Sequence, residues 1–375
     1  MLKVKFIKNY KEIPKVKTGF VVCGDSHLYN SYPFSEYDED KISSRLIDIF
    51  RIVIEAVDCA SRLKLPLVFN GDLITGRRLG YPVLHVLIEL RDYIENSGVK
   101  TYINLGNHDL DGNVTMLQPI LRNNRHINII LKPKNIKHSN KLILTFLPYC
   151  PIGKAKKALI KLLEGNSEAT KHNKHRVLFL HTAFKGAVRT KTISDAGLPQ
   201  KLFSRGGAIG KYFDIIVTSH FHKFQPIAGG HGFYTGSPIP LDFGELEEEH
   251  GYHVVNLGLR RHYFICPRYV SHFKVVPLKK IKKSKHIDGN FVKVSEVSQK
   301  ITVPEEKKIK KYLFDKGAKG VVFDKLSRQV KKSRLNIDDN TSVEDLVVNY
   351  TKAKAKQSEL NIDKLEEVGL YILDK

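Results

Sequence analysis

Tyr102-Ile103-Asn104-Leu105-Gly106-Asn107-His108-Asp109 is the stretch whose reading decides the fold. A short, mostly apolar run stops at a glycine, and an amide, an imidazole and a carboxylate follow at once. Short, glycine-bounded runs of this kind read as buried strands. The arrangement recurs along the chain. Phe20 to Cys23 leads into Gly24-Asp25-Ser26-His27, and Leu65 to Phe69 into Asn70-Gly71-Asp72. Val177 to Leu180 leads into His181, and Ile215 to Thr218 into Ser219-His220-Phe221-His222.

Helices fill the gaps between these runs. Ile42, Leu46, Ile49, Val53, Val57, Ala60 and Leu63 fall at spacings of three and four, an amphipathic stripe. Pro82 suits the first turn of a second helix carrying Val83, Leu87, Leu90 and Ile94. Strands alternating with helices predict a layered α/β domain. Such sheets place their sites at the carboxyl ends of strands, so clusters at these strand ends predict one converged site.

The residue types in that site suit metal chemistry. Asp25 and His27, two apart, would share one face of a strand and grip one cation. Asp72, after a glycine, is placed to bridge two cations. Asn107 offers an amide oxygen, and His181, His220 and His222 offer nitrogens. An oxygen and nitrogen shell without thiolates suits Mn2+, Fe2+ or Zn2+. Two such cations clamp a phosphodiester and generate a nucleophile from water, so no protein nucleophile is needed. His108 is the natural residue to face substrate as an acid or charge stabiliser, and Asp109 is placed to orient it. Asp-x-His or Gly-Asp alone would be an ordinary turn feature; Gly-Asn-His-Asp after a buried strand is far more specific. His85, His126, His138, His172 and His175 read as surface residues. His231, His250, His253 and His262 are left open as substrate contacts, and Cys23 reads as core.

The 375 residues carry a formal net charge of +23. That surplus implies an acidic partner, with nucleic acid the commonest candidate. Ser271 to Arg334 holds 19 Lys and Arg against 6 Asp and Glu, so 13 of those charges sit in one stretch. A solvated linker is the plain alternative for it. Four scattered cysteines suggest neither a disulfide framework nor a zinc knuckle, which favours a reducing cytoplasm, that of a host if the source is viral. No apolar stretch approaches membrane-spanning length, and Met1 to Thr18 reads as a leading strand (Leu2, Val4, Phe6) and a basic arm rather than a signal peptide.

The ordered motifs resemble those of the calcineurin-like metallophosphoesterases. Within that superfamily, His181-Thr-Ala-Phe-Lys-Gly186, Ser219 to Gln225 and Tyr234-Thr-Gly-Ser-Pro-Ile-Pro-Leu-Asp-Phe-Gly-Glu245 are similar to segments of SbcD-type nucleases. Ser219 departs from the usual glycine before the histidine pair. The resemblance implies a β-sandwich flanked by helices over residues 1–257, a small α+β capping lobe over 258–303, and a linker with ATPase-docking helices over 304–375. It implies one metal held by Asp25, His27, Asp72 and His222, another held by Asp72, Asn107, His181 and His220, and His108 as the catalytic histidine. It further implies Mn2+, exonuclease and endonuclease action on DNA in recombination and double-strand-break repair, a homodimer, and a coiled-coil ABC-type ATPase partner like SbcC. The capping box at Thr341 to Glu344 and the apolar segment Leu365 to Leu373 fit the docking helices. A nucleotide or small-molecule phosphodiesterase is the alternative activity, and a DNA-binding scaffold with a vestigial site the alternative class. The segment Tyr29 to Asp40 has no assigned role.

Overall fold

A computed structural model describes residues 3–325, apart from 77–78, 123, 165–173, 190–191, 195, 247, 286 and 298–300. The chain begins β1 (Lys3–Ile7), β2 (Gly19–Cys23), α1 (Ser44–Leu63), β3 (Leu67–Asn70), α2 (Tyr81–Ser97) and β4 (Thr101–Asn104). It continues α3 (Leu117–Leu121), β5 (Ile127–Ile130), β6 (Lys134–Ser139), β7 (Leu142–Leu147), α4 (Ile152–Glu164) and β8 (His175–His181). A short β9 (Val188–Arg189) and β10 (Thr192–Ile193) hairpin precedes β11 (Ile215–Ser219), β12 (Gln225–Ile227), β13 (Gly232–Tyr234), β14 (Tyr252–Asn256) and β15 (Arg261–Ile265). Last come β16 (Phe273–Pro277), β17 (Phe291–Val297), α5 (Val303–Asp315) and β18 (Gly320–Lys325).

These strands form two large sheets. One runs β1-β15-β14-β2-β3-β4-β5, and the other β12-β13-β11-β8-β7-β6. Around the expected site the pairing is parallel, β2 to β5 in the first sheet and β7, β8, β11 and β13 in the second. The inner faces meet through Phe20, Val22, Val68 and Tyr102 on one side and Phe146, Phe179, Val217 and Phe233 on the other. Alternate residues of the same strands, Val21, Cys23, Leu67 and Phe69, point outward and pack under α1 and α2. The second sheet likewise packs Leu178, Leu180 and Ile216 against Ala155 and Leu159 of α4. Both faces of each sheet are covered, so β2, β3 and β4 are buried end to end and read as apolar runs rather than as alternation. The result is a layered sandwich, helix on sheet on sheet on helix.

The two expected helices form where the stripes fall. Ser43 caps α1 by accepting from the Leu46 amide, Lys64 closes it in the left-handed region, and the whole predicted stripe is buried. Pro82 opens α2 and Gly98 ends it with φ 68°.

A third, all-parallel sheet, β16-β17-β18, packs with α5 around Val276, Val292, Val294 and Leu313. The boundaries of these units differ from those read in the sequence. β15 lies past residue 257 yet pairs with β1 and β14 inside the first large sheet. The small lobe runs on to Lys325, because β18 pairs with β17 and α5 is the crossover that parallel pairing demands. The docking helices expected near 342–352 and 365–373 lie outside the described residues.

Candidate metal centre

The backbone past each strand end sets the site. Asp25 and His27 were expected to share a strand face, but β2 stops at Cys23 and both lie beyond it. They converge for another reason. Asp25 (φ 46°), His27 (φ 49°) and Asp72 (φ 49°) all sit in the left-handed region, and His220 has φ 105°. Non-glycine residues rarely adopt such angles, and each costs about 1–3 kcal/mol. The neighbouring glycines are a matter of space. A Cβ on Gly71 would overlap the His181 ring, and one on Gly106 would overlap the Asp72 carboxylate.

All seven expected ligands come together, and both sheets contribute. Asp25, His27 and His222 form one group, and Asp72, His181 and His220 another, with the donor atoms of each within 4.8 Å of one another. Asp72 Oδ2 stands between the groups, 3.2 Å from His181 Nε2 and 3.8 Å from His27 Nε2. Asn107 Oδ1 joins the second group, 3.2 Å from His181 Nε2 and 3.0 Å from His220 Nδ1. The Asp25 carboxylate accepts from the His220 amide, and Asp72 Oδ1 accepts from the His108 amide at 2.8 Å.

The hydrogen bonds behind the ligands orient their rings. His222 Nδ1 donates to Glu245 Oε1 at 2.8 Å, and His27 Nδ1 meets Thr75 Oγ1 at 2.6 Å. With each Nδ1 so engaged, the two Nε2 atoms face each other across the site at 3.2 Å. His181 Nδ1 points to the Asn70 carbonyl, so its Nε2 faces two acceptor oxygens, Asp72 Oδ2 and Asn107 Oδ1. Acceptors converging on acceptors in a buried space require positive charge between them. A pair of divalent cations fits this donor set.

The charge balance agrees. Burial opposes the charged form of His181, but Asp72 and Asp25 outweigh it and hold it up at about 9. Burial also opposes charge on His222, yet Glu245 and Asp25 lift it to about 9. Burial, with His222 beside it, pushes His27 down to about 3.

A calcineurin-like phosphoesterase family model matches residues 19–255. The chain belongs to that family. As a calcineurin-like phosphoesterase it is a metal-dependent hydrolase of phosphate esters. The fold is similar to a dimetal phosphatase from Danio rerio at 9% identity and TM-score 0.43, over 64% of this chain and 93% of that one. It is also similar to a protein of Thermus thermophilus at 10% identity and TM-score 0.38, over 65% of this chain and 96% of that one. No curated protein matches the sequence.

Other expected residues fall differently. His108 is exposed beside the donor cluster, its ring edge-on to His27 at 5.1 Å. Asp109 was expected to orient it, but no hydrogen bond joins the two side chains among the described residues. Asp109 is buried and accepts from the Gly106 and Ile74 amides, so it braces the loop instead. Its burial, with Asp72 nearby, raises its pKa to about 7. His253 and His262 pair with each other inside the sandwich, His231 bonds the Gly210 carbonyl, and His250 bonds Ser237. All four are buried, and His250 stands 4.0 Å from Glu245, the carboxylate that holds His222. Of the histidines read as surface residues, His85, His126, His138 and His175 are half-buried, and His172 lies outside the described residues.

Three residues of the site escaped the sequence reading. Glu245, the last residue of the segment likened to SbcD-type nucleases but given no role there, is only 4% exposed. Thr75 carries no motif signal. Tyr149, 38% exposed, stands 6.4 Å from the rings of both His181 and His220.

Proposed function

We propose that this calcineurin-like phosphoesterase is a two-metal DNA nuclease, acting as exonuclease and endonuclease with Mn2+ at the site. The observation that carries the chemistry is the convergence of seven donors from two sheets on one buried space. Asp25, His27, Asp72 and His222 would hold one cation, and Asp72, Asn107, His181 and His220 the other. When bound, the cations would supply charge neutralisation for the phosphate and a water-derived nucleophile at neutral pH.

The protein's own groups do the rest. Glu245 and Thr75 keep His222 and His27 in the orientations that aim Nε2 inward. The Asp72 amide-bonded oxygen fixes the His108 backbone, leaving its ring free at the rim of the site. There His108 stabilises charge on the phosphoryl oxygens or protonates the leaving oxygen.

The polymer is supported by charge and by likeness. The net charge of +23 favours a polyanion. Lys279, Lys280, Lys282, Lys283 and Lys285 are exposed on the small lobe. The segment Tyr234 to Glu245 resembles that of SbcD-type nucleases. On the same likeness the protein works in the cytoplasm as a homodimer with a coiled-coil ABC-type ATPase, in recombination and strand-break repair. No helix among the described residues is long and apolar enough to cross a membrane.

Incubating the purified protein with linear duplex DNA and Mn2+, with and without the ATPase, tests this reading. Shortened or nicked DNA is the expected result. Intact DNA together with brisk hydrolysis of nucleotide phosphodiesters would replace it with the small-molecule activity.

A further inference from the structure

The segment Tyr29 to Asp40 carries no motif, yet its aromatic residues enter a knot that ties the small lobe to the site. Phe34 takes a left-handed φ of 64° and stacks on Phe291 of β17 at 5.3 Å. It also meets Phe243 at 5.9 Å and Phe273 of β16 at 6.2 Å. Phe243 in turn packs on Phe273 at 4.6 Å. Arg45 of α1, 1% exposed, lies over the rings of Phe291, Phe273 and Tyr32 and bonds the Pro240 carbonyl. On the lobe side, a Cβ on Gly320 would overlap the Phe34 ring. A buried arginine among aromatic rings and a left-handed phenylalanine are expensive to build, and they hold only because the surrounding packing determines them.

Two arms leave the knot, and both end on the same half of the site. Tyr32 donates to the carbonyl of His27, whose Nδ1 meets Thr75, at 2.9 Å. Phe243 lies two residues before Glu245, the partner of His222 Nδ1, and Glu245 also accepts from the Leu241 amide next to Pro240. His27 and His222 belong to the group that includes Asp25. The other half has further supports outside the knot, His181 at the Asn70 carbonyl and Asn70 at the Leu180 carbonyl and Ser219, while the halves meet where the His220 amide donates to Asp25 and the His27 amide to the Asp72 carbonyl. Among the described residues, none of those further supports touches the knot.

We infer that Phe34 and Arg45 are positioning residues through which the small lobe controls the Asp25, His27 and His222 half of the site without controlling the Asp72, His181 and His220 half. The inference rests on the two-metal reading. Displacing the lobe relaxes Tyr32 and the Phe243 to Glu245 turn, which frees both imidazoles to rotate. The second group keeps its supports. Whatever moves the lobe therefore sets the occupancy of one cation, not both.

Mn2+ binding to the full-length protein, by calorimetry and electron paramagnetic resonance without substrate, tests this. Wild type is expected to bind two ions. Phe34→Ala, and Gly320→Ala in the lobe, should keep one site at wild-type affinity and weaken the other about tenfold or more. Phe34→Tyr should restore it, and Val275→Ala, on the exposed side of the lobe, should leave both sites unchanged. Combined with His222→Ala, Phe34→Ala should cost nothing further; combined with His220→Ala, it should abolish tight binding. Two unaltered sites in folded Phe34→Ala, or equal weakening of both, would overturn the inference while leaving the two-metal reading intact. A wild type that binds fewer than two ions would overturn both.

Discussion

His108 is the residue at which ligand and acid are most easily confused, because its neighbour Asn107 faces the donor cluster while its own ring stands at the rim. Its amide is spent on Asp72 and its imidazole is exposed. His108→Ala should therefore lower phosphodiester cleavage by roughly 100-fold or more while the protein still binds two cations. Parallel cleavage and metal titrations check this; loss of a cation would make His108 a ligand. At this scale the sequence was most legible where residues carry chemistry. Asp, Asn and His after short apolar runs announced all seven donors. The supporting residues were not legible, because threonine at 75 and glutamate at 245 are ordinary types whose role comes from burial beside a ligand. Asp109 misled for the matching reason: adjacency in sequence to His108 suggested a bond that the turn does not permit.

The strand ends show what pattern alone can and cannot convey. Apolar runs and helical stripes located β2, β3, β4, β8, β11, α1 and α2, since period and punctuation survive in a single sequence. The left-handed angles at Asp25, His27 and Asp72 leave no such trace, because those residue types are chosen for their ligand atoms and not for their backbone preference. Only the glycines beside them hint at crowding. Gly106→Ala should accordingly fold but bind Mn2+ about tenfold more weakly or worse, since the new methyl meets the Asp72 carboxylate. Gly153→Ala, on α4 with nothing within 4 Å of the added carbon, should instead stabilise the protein by up to about 1 kcal/mol. Calorimetric titration and denaturant unfolding of the two variants separate the effects. The small lobe's extent was illegible for a reason of composition: β17 and β18 are joined by a lysine-rich helix whose polar surface reads as linker until the pairing is known.

Across the whole molecule, the buried His253 and His262 pair links stability to acidity. Burial holds His253 down to about 3, and burial with His253 beside it holds His262 well below 6.5. In the unfolded chain both take protons near 6.5, so the unfolded state binds more protons between the two limits and stability rises with pH there. The contribution is complete above about pH 7 and is lost as pH falls through 6 and 5, at about 1.4 kcal/mol per unit for each histidine. Denaturant unfolding of wild type and of His253→Leu/His262→Leu at pH 7 and pH 5 should differ by this slope, whatever the other buried groups such as Asp109 contribute to both proteins. The contribution of both sheets to the donor cluster has a consequence of a different kind. Asp25, Asp72 and Asn107 follow strands of one sheet, and His181, His220 and His222 follow or end strands of the other. A cation seated among them is therefore a rivet through the sandwich, and unfolding must shear it. Mn2+ at 100 times its dissociation constant should add about 2.7 kcal/mol of stability, by mass action alone. A melting curve that climbs with Mn2+, falls with chelator, and stops responding in a His181→Ala/His222→Ala variant would make heat, with no substrate present, the first assay of this enzyme's site.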